Sequence, residues 1–273
     1  MPVAARRYEW PATLIPPYPE PMPNELRPTA LVTGASRGIG AATAIALGAA
    51  GYNVAVNFAV EETAAAGVVD RLSKLGSKAV AIRADVSRES DILRLFETAE
   101  AKIGPIRALV NNAGITGGFA RVDSVTSAAI MQVLAVNVTG TMLCAREAVK
   151  RMSTRHGGSG GAIVNVSSLV TRTGGAGEYI HYAASKGAVN TFTIGLAREV
   201  AAEGIRVNAV APGLTDTEIH AANGAPDRLD RLTPTIPMQR PGTAEEIAAG
   251  IVWLLSEAAA YVNGAILEIG GGR

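Results

Sequence analysis

Tyr182 and Lys186 place a phenol and an ammonium four positions apart in Tyr182-Ala183-Ala184-Ser185-Lys186. In a helix that spacing puts both groups on one face. A phenol ordinarily titrates near ~10, too high for base work at neutral pH. A neighbouring ammonium favours the phenolate, and lowering the pKa by about two units takes about 2.7 kcal/mol of differential stabilisation. Such a pair can protonate a carbonyl oxygen as hydride arrives, or deprotonate an alcohol in reverse. Ser167-Ser168 close the apolar run upstream. A serine hydroxyl there can hold the substrate oxygen beside the phenol and stabilise developing charge. A Tyr-x-x-x-Lys match is weak alone; its position after a strand, on the ligand-binding side of a sheet, gives it meaning.

A second constellation lies near the start, in Thr33-Gly34-Ala35-Ser36-Arg37-Gly38-Ile39-Gly40. Gly34 permits a tight turn, Gly38 removes a Cβ where backbone must approach a pyrophosphate, and Gly40 lets a helix pack close. The helix start then offers N–H groups and the positive end of its dipole to phosphates. The second apolar run ends in Val56-Asn57-Phe58-Ala59, without the carboxylate that would grip a ribose 2′-hydroxyl. Arg37 lies in the loop where a 2′-phosphate would sit. The expected cofactor is therefore NADP(H) rather than NAD(H), with Gly34, Ser36, Arg37, Gly38, Ile39, Gly40 and Asn57 around it. Asp85-Val86 follow the third apolar run; they can position an adenine, and Asp85 equally suits a local turn or cap.

These residues need a scaffold, and the chain supplies alternating elements. Strands are expected at 29–33, 53–58, 78–84, 106–111, 162–166, 205–211 and 265–269. Helices are expected at 39–50, 61–75, 89–102, 126–154, 179–202 and 243–257. Near-continuous apolar strands such as Val54-Ala55-Val56 are buried on both faces, which implies a parallel sheet covered by helices. Residues 28–273 read as one doubly wound α/β domain. Residues 1–27 hold seven of the 14 prolines and read as a separate extended arm or a disordered leader.

Composition removes other classes. The 273 residues are 48% hydrophobic and 4% aromatic with net charge +1, so no basic footprint points to nucleic acid or a membrane surface. No apolar run approaches the roughly 18–20 residues that span a bilayer. The single cysteine, Cys144, permits no internal disulfide and suits a reducing, cytoplasmic setting. His156, His181 and His220 have no metal-site spacing, so no metal is expected. The sequons at Asn137 and Asn165 fall inside regular elements and are discounted.

Together the motifs resemble the short-chain dehydrogenase/reductase family in its ordinary-length branch. Thr33–Gly40, Asn111-Asn112-Ala113-Gly114, Asn137, Ser168, Tyr182, Lys186 and Pro212-Gly213 with Thr215 and Thr217 occur in the family's order across about residues 28–272. The resemblance implies a Rossmann-type domain with a seven-stranded parallel sheet and a tetrad of Asn137, Ser168, Tyr182 and Lys186. It further implies that Lys186 binds the nicotinamide ribose and that Asn137 holds a water in a proton relay. Asn112, Ala113 and Gly114 would flank the adenosine, and Pro212, Gly213, Thr215 and Thr217 the nicotinamide. A small carbonyl or alcohol substrate and a homotetramer, or a dimer, are implied as well. The Ser168–Tyr182 interval is one residue longer than in many members; Ser168 is nearer the usual spacing than Ser167. Gly177-Glu178-Tyr179-Ile180-His181-Tyr182 resembles bacterial sugar-dehydrogenase-like and 3-oxoacyl-carrier-protein-reductase-like members. His181, beside the tyrosine, reads as structural or interfacial. The loop 215–237, with Asp216, Glu218, His220 and Asn223, is expected to close over the substrate, with Thr171, Gly174 and Tyr179 opposite.

Two other readings compete. Gly157-Gly158-Ser159-Gly160-Gly161 has the letters of a hydrolase nucleophile elbow, but a helix precedes it and a strand follows, the reverse of that motif's context. The alternative is an NADP(H)-binding sensor or scaffold without turnover; retention of all four tetrad groups argues against it. The longer sugar-nucleotide epimerases favour a different glycine spacing.

Overall fold

Each short apolar run becomes a strand, and the five inner ones are buried almost throughout. The computed structural model describes residues 27–217 and 227–273. Within them lie β1 (Thr29–Val32), β2 (Asn53–Phe58), β3 (Ala79–Arg83), β4 (Ile106–Asn111), β5 (Gly161–Val166), β6 (Ile205–Pro212) and β7 (Ile266–Ile269). They form one parallel sheet ordered β3-β2-β1-β4-β5-β6-β7. The order reverses between β1 and β4, and a crevice for ligands opens at the carboxyl ends of strands flanking such a point. All seven expected strands are present, with every end within one residue of its expected position.

The helices are α1 (Gly38–Ala49), α2 (Glu62–Lys74), α3 (Glu89–Ile103), α4 (Ser127–Leu134), α5 (Thr141–Met152), α6 (Val170–Thr173), α7 (Ile180–Val200), α8 (Arg228–Leu232) and α9 (Ala244–Leu255). The period of two along β1 assigns them to layers. Ala30 and Val32 join Leu47 of α1, Leu72 of α2 and Ile251 of α9 in one core. Leu31 faces the other way, toward Phe96 of α3, Met152 of α5 and Val200 of α7. Phe96 is wholly buried, and truncating such a side chain typically costs about 3–5 kcal/mol. A capping box starts α9: Thr243 accepts from the Glu246 N–H, and Glu246 accepts from the Thr243 N–H.

One expected helix is interrupted. The segment 126–154 resolves into α4, a π-helical turn at Ala135–Gly140 and α5. Such insertions recur at functional sites, and this one carries Asn137. Gly140 fits there because a Cβ would press on the Val86 carbonyl. The joined helix Ser127–Met152 is long and apolar enough to cross a membrane, which corrects the expectation that no run approaches that length. Its buried residues include Val133, Asn137, Cys144, Ala148 and Met152, and Glu147 near its end binds Lys150 and Arg151, as in a core helix of a folded domain. Asn137 and Asn165 are fully buried, out of reach of glycosylation in the folded chain. The proline-rich arm, Glu218, His220 and Asn223 lie outside the described residues.

Candidate active site

The carboxyl end of β5 and the first turns of α7 bring three of the four tetrad side chains together. Lys186, only 4% exposed, donates from Nζ to the Val166 carbonyl at 2.7 Å. Its Nζ stands 5.8 Å from the centre of the Tyr182 ring. The Ser168 hydroxyl oxygen accepts the Val170 N–H at 3.2 Å, and Ser168 neighbours the Tyr182 phenol closely enough to pull its pKa down. Ser167 is turned away: it is buried and donates to the Lys186 carbonyl at 3.4 Å. Geometry thus separates the two serines that spacing left in competition.

Asn137 is fastened rather than offered. Its Nδ2 donates to the Ile115 carbonyl at 2.9 Å and to Ser185 Oγ at 3.0 Å, while its Oδ1 accepts the Ile115 N–H at 2.9 Å. Ser185 in turn donates to the Tyr182 carbonyl at 2.7 Å, which joins the π-helical turn to α7. The Asn137 carbonyl accepts from Thr141 Oγ1 at 2.8 Å. Gly114 lies beside this group; a Cβ there would stand 3.4 Å from both Lys186 Nζ and Asn137 Oδ1.

The electrostatics reverse one expectation. Burial pushes the Tyr182 phenol up to about 12, against the downward pull of its hydrogen bond to Ser168. Burial also pulls the Lys186 ammonium down to about 8. The lowering of the phenol expected from the Tyr–Lys pair does not follow from the chain's own groups, because desolvation outweighs them. Tyr182 therefore keeps its proton at neutral pH and is set as a donor.

The glycine loop fits a nucleotide's phosphates. No side chain caps the start of α1, and no acidic residue lies in its first turn, so its positive end stays open. Gly34 and Gly38 have φ of +60° and +54°. A Cβ on Gly40 would collide with the Gly34 carbonyl and Asn112 Nδ2. Asn112 Nδ2 donates to the Thr33 and Gly34 carbonyls, both at 2.9 Å, and Thr33 Oγ1 accepts the Asn112 and Ala113 N–H groups at 3.0 Å. Ser36 and Ile39 are half-buried and Arg37 is exposed on this loop. At the other end of the crevice Gly213 donates to the Ile269 carbonyl at 2.8 Å, and Thr215 donates to the Gly213 carbonyl at 3.2 Å. Pro212 ends β6, and Thr217 is half-buried just before residue 218.

Several expected contacts take other roles. Asn57 is buried: its Oδ1 accepts the Gly34 N–H at 3.1 Å and its Nδ2 donates to the Ala84 carbonyl at 3.0 Å. Its side chain braces the loop from beneath, and Ala59 and Val60 are the exposed residues at this end of β2. Asp85 behaves as a turn residue, accepting from the Ser87 N–H and hydroxyl at 2.9 and 2.7 Å, while Val86 is packed against Gly140. Thr171 donates to the Ser168 carbonyl at 2.9 Å, so its hydroxyl serves the backbone. His181 Nε2 is buried beside Gly117, consistent with a packing residue. Ser159 is exposed before β5, at the opposite end of that strand from Ser168, which excludes it from this crevice. Three contributors were missed. Arg83 donates to the Ala59 carbonyl at 3.2 Å, which puts a cation beside the end of β2. Phe119 and Arg228 meet Tyr179, whose ring neighbours that of Tyr182. Long side chains reaching over loops leave no periodic trace in sequence.

The family described as enoyl-(acyl carrier protein) reductase has a sequence model that matches residues 34–273. The chain is 53% identical to the uncharacterized oxidoreductase YgfF of Escherichia coli (strain K12) over 244 residues, 89% of this chain and 99% of the relative. It is 37% identical to glucose 1-dehydrogenase 2 of Bacillus subtilis (strain 168), over 89% of this chain and 93% of that one. A short-chain dehydrogenase from Burkholderia cenocepacia J2315, solved in complex with NADP, superposes with TM-score 0.83 at 34% identity, covering 91% of this chain and 98% of that one. Fold, site and relatives agree: the chain belongs to the short-chain dehydrogenase/reductase family of oxidoreductases.

Proposed function

We propose that the protein transfers hydride between NADP(H) and the carbonyl or alcohol carbon of a small molecule, with Tyr182 as the general acid and base. The observation that carries this reading is buried Lys186 Nζ, held on the Val166 carbonyl 5.8 Å from the Tyr182 ring with Ser168 alongside, at the end of a crevice that begins at the uncapped start of α1. The nicotinamide supplies or accepts the hydride when bound. Ser168 and Tyr182 would hold the substrate oxygen between two hydroxyls, and Tyr182 would give it a proton as charge develops there. Lys186 would grip the nicotinamide ribose and tune the phenol. Because the Asn137 side chain is committed to Ile115 and Ser185, its contribution to a proton relay would pass through its main-chain carbonyl.

The choice of NADP(H) rests on Arg37, supported by Arg83, and on the lack of an acid at Ala59. Gly34, Gly38 and Gly40 would admit the pyrophosphate; Asn112, Ala113 and Gly114 would flank the adenosine side. Pro212, Gly213, Thr215 and Thr217 would line the nicotinamide end. The test is oxidation of NADPH and of NADH with a panel of ketones, aldehydes and keto-sugars. NADPH is expected to be preferred, and Arg37→Ala to erase at least tenfold of that preference, about 1.4 kcal/mol; equal use of both by the unaltered protein refutes it. A homotetramer, or a dimer, fits the exposed Met131, Met142 and Ile194 on α4, α5 and α7 and Trp253 on α9, and light scattering after size exclusion tests it. Burial pushes the Cys144 thiol up to about 12, so it is inert, in keeping with a cytoplasmic enzyme that needs no thiol chemistry.

A further inference from the structure

The loop after β6 comes back to the site through α8, whose first residue, Arg228, is only 4% exposed. Burying a guanidinium is costly unless its faces and edges all find partners. Here Nη2 donates to the Tyr179 phenol at 2.6 Å, and Nη1 lies 2.8 Å from Glu178 Oε2 as an ion pair outside good hydrogen-bond angles. The guanidinium carbon stands 5.0 Å from the Phe119 ring centre and 5.1 Å from that of Tyr179. Phe119 and Tyr179 meet edge to face at 5.2 Å, and the Tyr179 ring is 5.4 Å from that of Tyr182. Arg231, one turn further on, binds the other oxygen of Glu178 at 3.2 Å. The Glu178 carbonyl accepts the Ala120 N–H at 2.7 Å, which brings in the loop after β4.

Three segments distant in sequence thus converge on one guanidinium: the loop carrying Phe119, the turn Glu178-Tyr179 and α8. The last ring in the series is that of Tyr182. We infer that Arg228 is the positioning residue of the substrate pocket, fastening α8 and Tyr179 against the reacting tyrosine and thereby setting how tightly the carbonyl substrate is held. The inference rests on the oxidoreductase reading above. Arg228 itself moves no proton, so its contribution falls on substrate affinity more than on the chemical step. Nucleotide affinity is independent of it, because the glycine loop is braced by Asn57 and Asn112. Arginine is required for shape as well as charge: a lysine can meet Glu178 or Tyr179 but cannot present a flat face to two rings at once.

The experiment compares the full-length protein with Arg228→Ala, Arg228→Lys and Glu178→Gln, using the best carbonyl substrate from the panel. Arg228→Ala should raise the substrate KM at least about tenfold, with kcat within about threefold and NADPH affinity unchanged. Arg228→Lys should recover part of that loss, and Glu178→Gln should give a smaller rise in KM. Hydrogen exchange of residues 228–237 should quicken in Arg228→Ala and be intermediate in Arg228→Lys. An unchanged KM in Arg228→Ala overturns the inference, as does a fall in NADPH affinity in step with substrate affinity. If no carbonyl compound is turned over, the oxidoreductase reading fails first; equal exchange of 228–237 in all forms then overturns the clamp on its own terms.

Discussion

The two ends of the crevice are built on different physics. At the nucleotide end, short amides and a hydroxyl bond to the backbone: Asn57 and Asn112 hold Gly34 from two sides, and Thr33 Oγ1 accepts two N–H groups. At the substrate end, α8 is held by long charged side chains, Arg228 and Arg231 on Glu178, with aromatic rings packed between. Buried backbone bonds with no room for another atom fix a shape. Side-chain contacts of this kind can be exchanged one at a time, and the outer pair, Arg231 on Glu178, is exposed enough to contribute little to global stability. One end is thereby suited to an unchanging ligand and the other to a changeable one.

Gly40→Ala should break that contrast most severely. Its Cβ would meet backbone at Gly34, so we expect a loss of about 3 kcal/mol or more and no NADPH binding, measured by denaturant melts and fluorescence titration. Asn57→Ala should follow. It leaves the Gly34 N–H and the Ala84 carbonyl without their buried partner, for about 1–3 kcal/mol of stability and a weaker nucleotide site.

The smallest expected effect is a pH profile. Tyr182, held up to about 12, stays protonated throughout the working range, so the break should come from Lys186, held down to about 8. Reductive kcat/KM should be level below about pH 8 and fall above it as the ammonium is lost. The same groups act on stability with opposite signs. Between about 8 and about 10.5 the unfolded chain holds the Lys186 proton that the folded chain has released, so this group's contribution rises with pH. Between about 10 and about 12 the folded chain keeps the Tyr182 proton that the unfolded chain has lost, so its contribution falls with pH. A reductive profile without a break near pH 8 would remove Lys186 from the account.

The contrast between the two ends also governed how much could be read from sequence. The strands were legible because each is apolar on both faces, and the glycine loop because its spacing has one strong structural context. Tyr182 and Lys186 were legible through helical spacing. Spacing favours Ser168 over Ser167, and the Ser167 hydroxyl lies instead on the Lys186 carbonyl. The bracing role of Asn57 was not legible, because a position at a strand end does not reveal which backbone groups its amide meets. The upward shift of Tyr182 was out of reach since sequence names the neighbours of a phenol but not its burial. Arg228 was invisible for a different reason: its partner Tyr179 lies 49 residues away, and both are joined only by the closure of loops.

The central claim is that Tyr182 is the group that gives and takes the proton. The most direct test is Tyr182→Phe, assayed for NADPH-linked turnover and, separately, for NADPH binding. The substitution keeps the ring against Tyr179 and removes only the hydroxyl. Turnover should fall by about 100-fold to 10,000-fold with nucleotide affinity retained. Turnover within a fewfold of the parent would contradict the account.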